Sequence, residues 1–153
     1  MVINFNYIFF IVFLVFVTNS NSSNKNYKNP DKPFIVVLDA GHGGHDPGNL
    51  GNGYREKDIV LKIVLKVGKI LEKQPNFKVI YTRKTDVFVK LHERAPVANR
   101  ADADLFVSVH CDAFTNPDAY GAGVYVMGMS KLKANMDIAM KENSVIYLED
   151  DYK

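Results

Sequence analysis

The spacing of apolar and polar positions changes rhythm several times along the 153 residues, and each change marks an element. Tyr7 to Val17 reads YIFFIVFLVFV without a polar interruption. As a helix such a run reaches about 16 Å, against a bilayer hydrocarbon core of roughly 30 Å. It fits the apolar part of a signal peptide over residues 1–22, although residues 1–6 contain no Lys or Arg. An uncleaved anchor and a buried strand are the competing readings. Residues 23–33, within a stretch rich in Asn, Ser and Lys and ending in Pro33, read as a linker. From Phe34 the pattern becomes that of a folded domain, expected over 34–153.

Phe34 to Leu38, FIVVL, is a continuous β-branched run, the mark of a strand covered on both faces. Ala40 to Gly53 follows with six glycines and reads as a long functional loop. From Asp58 to Lys73 apolar residues recur mostly at spacings of three and four, with Lys62, Lys66, Lys69 and Lys73 on the other side. That pattern predicts an amphipathic helix with Asp58 as its N-cap. Phe77–Thr82, Leu105–His110 and Val124–Met127 read as strands, Leu91–Ala101 as a helix interrupted by Pro96, and Ser130 to about Asn143 as a further helix. Strands alternating with helices predict an α/β fold with a largely parallel sheet and helices on both faces. The chain stops at Lys153 without a finished element, so the domain is expected to be incomplete at its C-terminus.

Composition narrows the function classes. With 47% hydrophobic and 24% charged residues the chain is globular rather than disordered. A net charge of +2, with lysines and arginines interspersed among acids, excludes a nucleic-acid footprint. The single cysteine, Cys111, rules out an internal disulfide. On a strand next to His110 its side chain points to the opposite face, which suits a buried apolar role.

Three segments carry candidate chemistry: LDAGHGGHDPG (38–48), REKD (55–58) and SVHCD (108–112). The first and third follow strand ends, where open α/β sheets bind ligands, and the glycine-rich loop can return the second to the same edge. Two imidazoles and a carboxylate, His42, His110 and Glu56, suit Zn²⁺ with one position open for water. Glu56 could also be no more than a helix-start charge. His45 and Asp112 are candidate substrate contacts. Asp39 could orient a ligand histidine or bond loop amides. The loop has neither a GxGxxG nor a GxxxxGK[ST] pattern, which argues against a nucleotide site.

LDAGHGGHDPG, REKD, TRKTD (82–86) and ANRADADLFVSVHCDA (98–113), in this order, resemble the zinc-dependent N-acetylmuramoyl-L-alanine amidases of bacterial cell wall. The resemblance runs from about Ile35 to Tyr125. It implies a largely parallel six-stranded sheet, zinc held by His42, Glu56 and His110, and hydrolysis of the amide between N-acetylmuramic acid and L-alanine in wall turnover or cell separation. It implies a peptidoglycan substrate; the N-terminal run points to export to the periplasm or beyond, a protein activator is a candidate partner, and a monomer with no nucleic-acid partner is expected. It also implies a general-base glutamate on a late apolar strand. Glu142 and Glu149 fall on or just after the last helix, so that base is expected beyond Lys153. Asp112 stands where the family more usually has asparagine. The alternative is a zinc-containing wall-binding module without catalysis.

Overall fold

A computed structural model describes residues 10–16, 32–112 and 121–127, together with residues 140, 142 and 148. Its strands are β1 (Phe10–Phe16), β2 (Phe34–Ala40), β3 (Leu50–Gly51), β4 (Tyr54–Arg55), β5 (Phe77–Tyr81), β6 (Leu105–Asp112) and β7 (Ala122–Met127), with helices α1 (Glu56–Leu71) and α2 (Leu91–Arg100). The main sheet has five strands in the order β5-β2-β6-β1-β7. β2 is parallel to both β5 and β6. β1 runs antiparallel to β6 and parallel to β7, so the sheet is mixed, with β5-β2-β6 running one way and β1-β7 the other.

The apolar run of β2 alternates its side chains between two covered faces. Val36, Leu38 and Ala40 join Val107, Val109 and Cys111 of β6 under Val60 and Val64 of α1. Val60 and Val64 are fully buried, and each contributes roughly 1.5–3 kcal/mol by leaving water. Residues of opposite parity face the other way: Asp39 meets Arg94 of α2 and Ser108 of β6. The two helices therefore cover opposite faces, as the alternation predicts. After β2 the chain crosses to β5, and after β5 it passes to the far side of β2 to form β6. The carboxyl ends of β2 and β6 consequently flank a topological switch point, where such sheets bind ligands.

Helix α1 begins at Glu56, two residues before the predicted start, with Arg55 extended at the N-cap position. Asp58 does not cap it, because its carboxylate accepts from Arg55 Nε at 2.7 Å. The predicted long loop includes β3, and β4 follows it; the two pair as a short ribbon that turns the chain back so that α1 starts beside the sheet edge. The apolar N-terminal run includes β1, seven residues paired along β6 from Phe10↔Asp112 to Phe16↔Phe106. Its aromatic and β-branched residues suit a strand. Among the described residues no helix is long and apolar enough to cross a membrane. Of the predicted helix from Ser130, only Met140 and Glu142 are described, both helical; the rest lies outside the described residues, as does the linker before residue 32.

Candidate metal centre

His110 stands near the carboxyl end of β6, and the β2 strand ends beside it, with Ala40 paired to Val109. The next residue, Gly41, has no room for a side chain: a Cβ would lie 2.4 Å from His110 Cε1. His42 then takes a left-handed backbone, φ 58°. For a residue with a Cβ this costs roughly 1–2 kcal/mol, so the surroundings must impose it. They do. Gly43 and Asp46 exchange backbone hydrogen bonds across a tight turn, and Arg94 Nη2 donates to the His42 carbonyl at 3.0 Å.

The turn returns the Asp46 carboxylate to His42 Nδ1 at 2.8 Å. With Nδ1–H donated to Asp46, the Nε2 lone pair is left facing inward, the tautomer a metal needs. Gly48, at φ 65°, lets the chain pass against His42 and Glu56; a Cβ there would come 2.7 Å from His42 Cδ2. Glu56, the first residue of α1, is 2% exposed, and both of its oxygens are held. Oε2 accepts from the Asn49 backbone and side-chain amides at 2.9 and 2.8 Å, and Oε1 from the Cys111 backbone N–H at 2.7 Å. Asn49 Nδ2 also donates to the Cys111 carbonyl, tying loop, helix start and β6 together. Lys57 and Asp86 close the loop from outside: Lys57 Nζ reaches both the Gly44 carbonyl and Asp86 Oδ2, and Gly44 N–H donates to Asp86 Oδ1.

The three inward donor atoms form a nearly regular triangle. His42 Nε2 lies 3.0 Å from Glu56 Oε1, His110 Nδ1 lies 3.2 Å from the same oxygen, and the two imidazole nitrogens are 3.2 Å apart. A fourth donor joins them: Glu142 Oε2 is 2.7 Å from His110 Nδ1 and 3.6 Å from His42 Nε2. A four-coordinate metal with N and O ligands at about 2.0–2.1 Å sets its ligand atoms about 3.3 Å apart. The donor set fits such an ion in both chemistry and spacing. Without a metal, burial disfavours the charged imidazoles, but the hydrogen bonds they donate to the carboxylates outweigh it. Asp46, Glu142 and Glu56 push His42 up to about 11, and Glu142 and Glu56 push His110 up to about 9. Burial raises Glu56, yet hydrogen bonds to His110 and His42 hold it down at about 2. Glu142 is lowered for the same reason. The cluster is thus a buried site that draws in positive charge.

Residues 36–148 match the sequence family described as N-acetylmuramoyl-L-alanine amidase. The chain belongs to this amidase family. An N-acetylmuramoyl-L-alanine amidase AmiC of Escherichia coli O6:H1 is 44% identical over 98 residues, covering 63% of this chain and 24% of that protein. An endolysin of Bacillus phage SPP1 is 58% identical over 79 residues, covering 52% of this chain and 29% of the endolysin. Among solved structures, the catalytic domain of CwlV, an N-acetylmuramoyl-L-alanine amidase from Bacillus (Paenibacillus) polymyxa, superposes with a TM-score of 0.54 at 38% identity, covering 56% of this chain and 49% of that one. An amidase from Clostridium difficile 630 gives a TM-score of 0.54 at 37% identity, covering 56% and 47%. The chain therefore spans about a quarter of the AmiC relative's length and under half to half of these amidase structures.

Within this chain the structure brings His42, Glu56 and His110 together and adds two residues that sequence reasoning did not assign to the site. Asp46, rather than Asp39, touches a ligand imidazole. Asp39 instead accepts from Thr82, Ser108 and Arg94, and acts on His42 only through the Arg94 guanidinium. Glu142 was set aside at the sequence level because it lies on a helix and not on an apolar strand. It is helical, and its carboxylate nevertheless reaches the site. The signal for Asp46 was its position four residues after His42 on a glycine-bent loop; for Glu142 there was none. His45 is exposed and lies outside the donor cluster, its ring 4.0 Å from that of Phe88. Of Asp112 the backbone pairing with Phe10 is described, and its side chain lies outside the described residues.

Proposed function

We propose that this chain is a zinc-dependent N-acetylmuramoyl-L-alanine amidase, or the metal-bearing part of one, that hydrolyses the amide joining N-acetylmuramic acid to L-alanine in peptidoglycan. The observation that carries the reading is the inward-facing triangle of His42 Nε2, Glu56 Oε1 and His110 Nδ1 at the sheet's carboxyl edge, with edges of 3.0–3.2 Å. Membership of the amidase family supports it. Zinc held by these residues supplies Lewis acidity toward a carbonyl oxygen and lowers the pKa of water toward about 7. The residues around it have separate tasks. Asp46 holds the His42 tautomer, Asn49 fixes the Glu56 carboxylate, and the β6 ladder fixes His110.

Glu142 decides between two versions. Three protein donors leave a position for substrate chemistry, whereas four make a closed, structural type of site. In the enzyme reading Glu142 withdraws for turnover. In the second reading, favoured by its 2.7 Å contact with His110, the chain is a zinc-containing wall-binding module. Metal analysis of the purified chain, together with labelling of new alanine α-amines in digested wall, separates them. Bound zinc with amine release, lost in His110→Ala and raised in Glu142→Ala, supports the amidase. Bound zinc with no release from either the parent chain or Glu142→Ala leaves the binding module or a metal-bearing part that does not turn over by itself. Unchanged zinc content in Glu56→Ala removes Glu56 from the centre.

Export is part of the same proposal, supported by the length and polarity of the Tyr7–Val17 run. The pairing of Phe10–Phe16 with β6 gives that run an alternative place within the folded protein. The N-terminal mass of the protein recovered outside the cytoplasm tells the two apart. Loss of about the first 20 residues marks a leader, and an intact N-terminus marks a strand.

A further inference from the structure

Arg83 lies outside the ligand set, in the segment just after β5, and is 3% exposed. Its guanidinium donates to four backbone carbonyls. Nε reaches Ala40 at 2.9 Å, Nη1 reaches Thr85 at 3.2 Å, and Nη2 reaches Gly41 at 2.7 Å and Lys57 at 3.0 Å. The last pair is the informative one. Gly41 immediately precedes His42, and Lys57 immediately follows Glu56. One nitrogen therefore joins the two segments that carry two of the donors. Arg94 completes the grip by donating to the Ala40 and His42 carbonyls, so three consecutive carbonyls, 40 to 42, are held by two buried guanidiniums.

We propose that Arg83 is a positioning residue of the metal centre: its planar fork sets the spacing between the His42-bearing loop and the Glu56-bearing helix start. This rests on the metal-centre reading above. A merely structural arginine would stabilise the fold by filling space and satisfying carbonyls anywhere along these segments. This one spans the short gap across which the His42 Nε2–Glu56 Oε1 distance of 3.0 Å is defined. Lysine is no substitute. Its donors radiate from one atom, whereas the guanidinium directs five N–H bonds in a plane and so reaches separate carbonyls at once. Changes in the groups that orient metal ligands typically weaken metal binding about 10- to 100-fold.

The test compares Arg83→Lys with Val64→Ala in the full chain. Val64→Ala destabilises the same helix from its buried face without touching the loop. Zinc affinity by chelator competition and the visible ligand-field bands of the Co²⁺-loaded protein are measured at a temperature where circular dichroism shows both variants folded. Arg83→Lys is expected to weaken zinc about 10- to 100-fold and to shift the Co²⁺ bands, while Val64→Ala changes neither despite a lowered melting temperature. If Arg83→Lys keeps the parent affinity and spectrum, or Val64→Ala weakens zinc equally, the inference is overturned. If Arg83→Lys does not fold, Arg83→Gln, which removes the buried charge but keeps an amide donor, is judged by the same two readouts. A parent chain that binds neither zinc nor Co²⁺ removes the metal-centre reading and this inference with it; binding by the parent with an unaltered Arg83 variant removes only the latter.

Discussion

The two histidines of the centre are held by opposite means. His110 sits in β6, where ladder hydrogen bonds to β2 and β1 on either side set the backbone and the pleat aims the side chain. His42 sits on a loop with a left-handed backbone and depends on a scaffold of polar side chains: Arg94 on its carbonyl, Asp46 on its ring, and Arg83 on the carbonyls before it. A strand supplies position as a by-product of the sheet. A loop must have it built from specific hydrogen bonds, each open to removal by one substitution. The benefit is reach. The glycine-bent loop can carry His42, Asp46 and Asn49 to three different partners, which the strict alternation of a strand does not allow.

The contrast can be broken most severely through Arg94. Its ion pair with Asp39 is buried, 2.8 Å long, and it also holds the Ala40 and His42 carbonyls. Arg94→Ala leaves an uncompensated Asp39 carboxylate that still accepts from the Thr82 and Ser108 hydroxyls. A loss of about 3–5 kcal/mol in urea unfolding is expected. On the strand side, Gly41→Ala drives a Cβ into the His110 ring. Zinc affinity should fall roughly 100-fold while the far-ultraviolet spectrum keeps its helix content; undiminished affinity would mean that the close approach of Gly41 does not confine the His110 ring.

Asp46→Asn tests the loop side more gently. The amide can present its oxygen to Nδ1–H but not a full charge, so zinc affinity is expected to drop about tenfold, measured by competition. Cys111→Ala is the smallest change. Cys111 is buried in the apolar cluster shared by β2, β6 and α1, on the face of β6 away from the donor atoms. A loss of about 1 kcal/mol in stability, with zinc affinity within about twofold, is expected. An affinity loss as large as that of Asp46→Asn would show that the two faces of β6 are not independent.

Much of the frame was legible in the chain. The unbroken run of β2, the three-four rhythm of α1 and the SVH strand β6 emerged close to their observed bounds, because local hydrophobic periodicity decides elements of this length. Where local groups compete, the reading slipped. Asp58 has the chemistry of an N-cap, but Arg55 takes its carboxylate and the helix begins at Glu56. Periodicity also carries no partner information: nothing in FIVFLVF announces that it pairs between β6 and β7.

The sequence by itself determined the α/β class and singled out three candidate donors, since the chain has only four histidines and two of them follow a strand end and a glycine-rich loop. Tertiary structure alone decided what holds those donors and how many there are. Asp46 rather than Asp39 takes the His42 ring, Arg83 ties two segments 42 and 26 residues away from it, and Glu142 arrives from a helix to make a fourth corner. The reason is physical. A side chain's type and its local rhythm are properties of the chain, but a hydrogen bond or a ligand contact depends on distances across the fold, and those exist only once the sheet edge has brought the segments together.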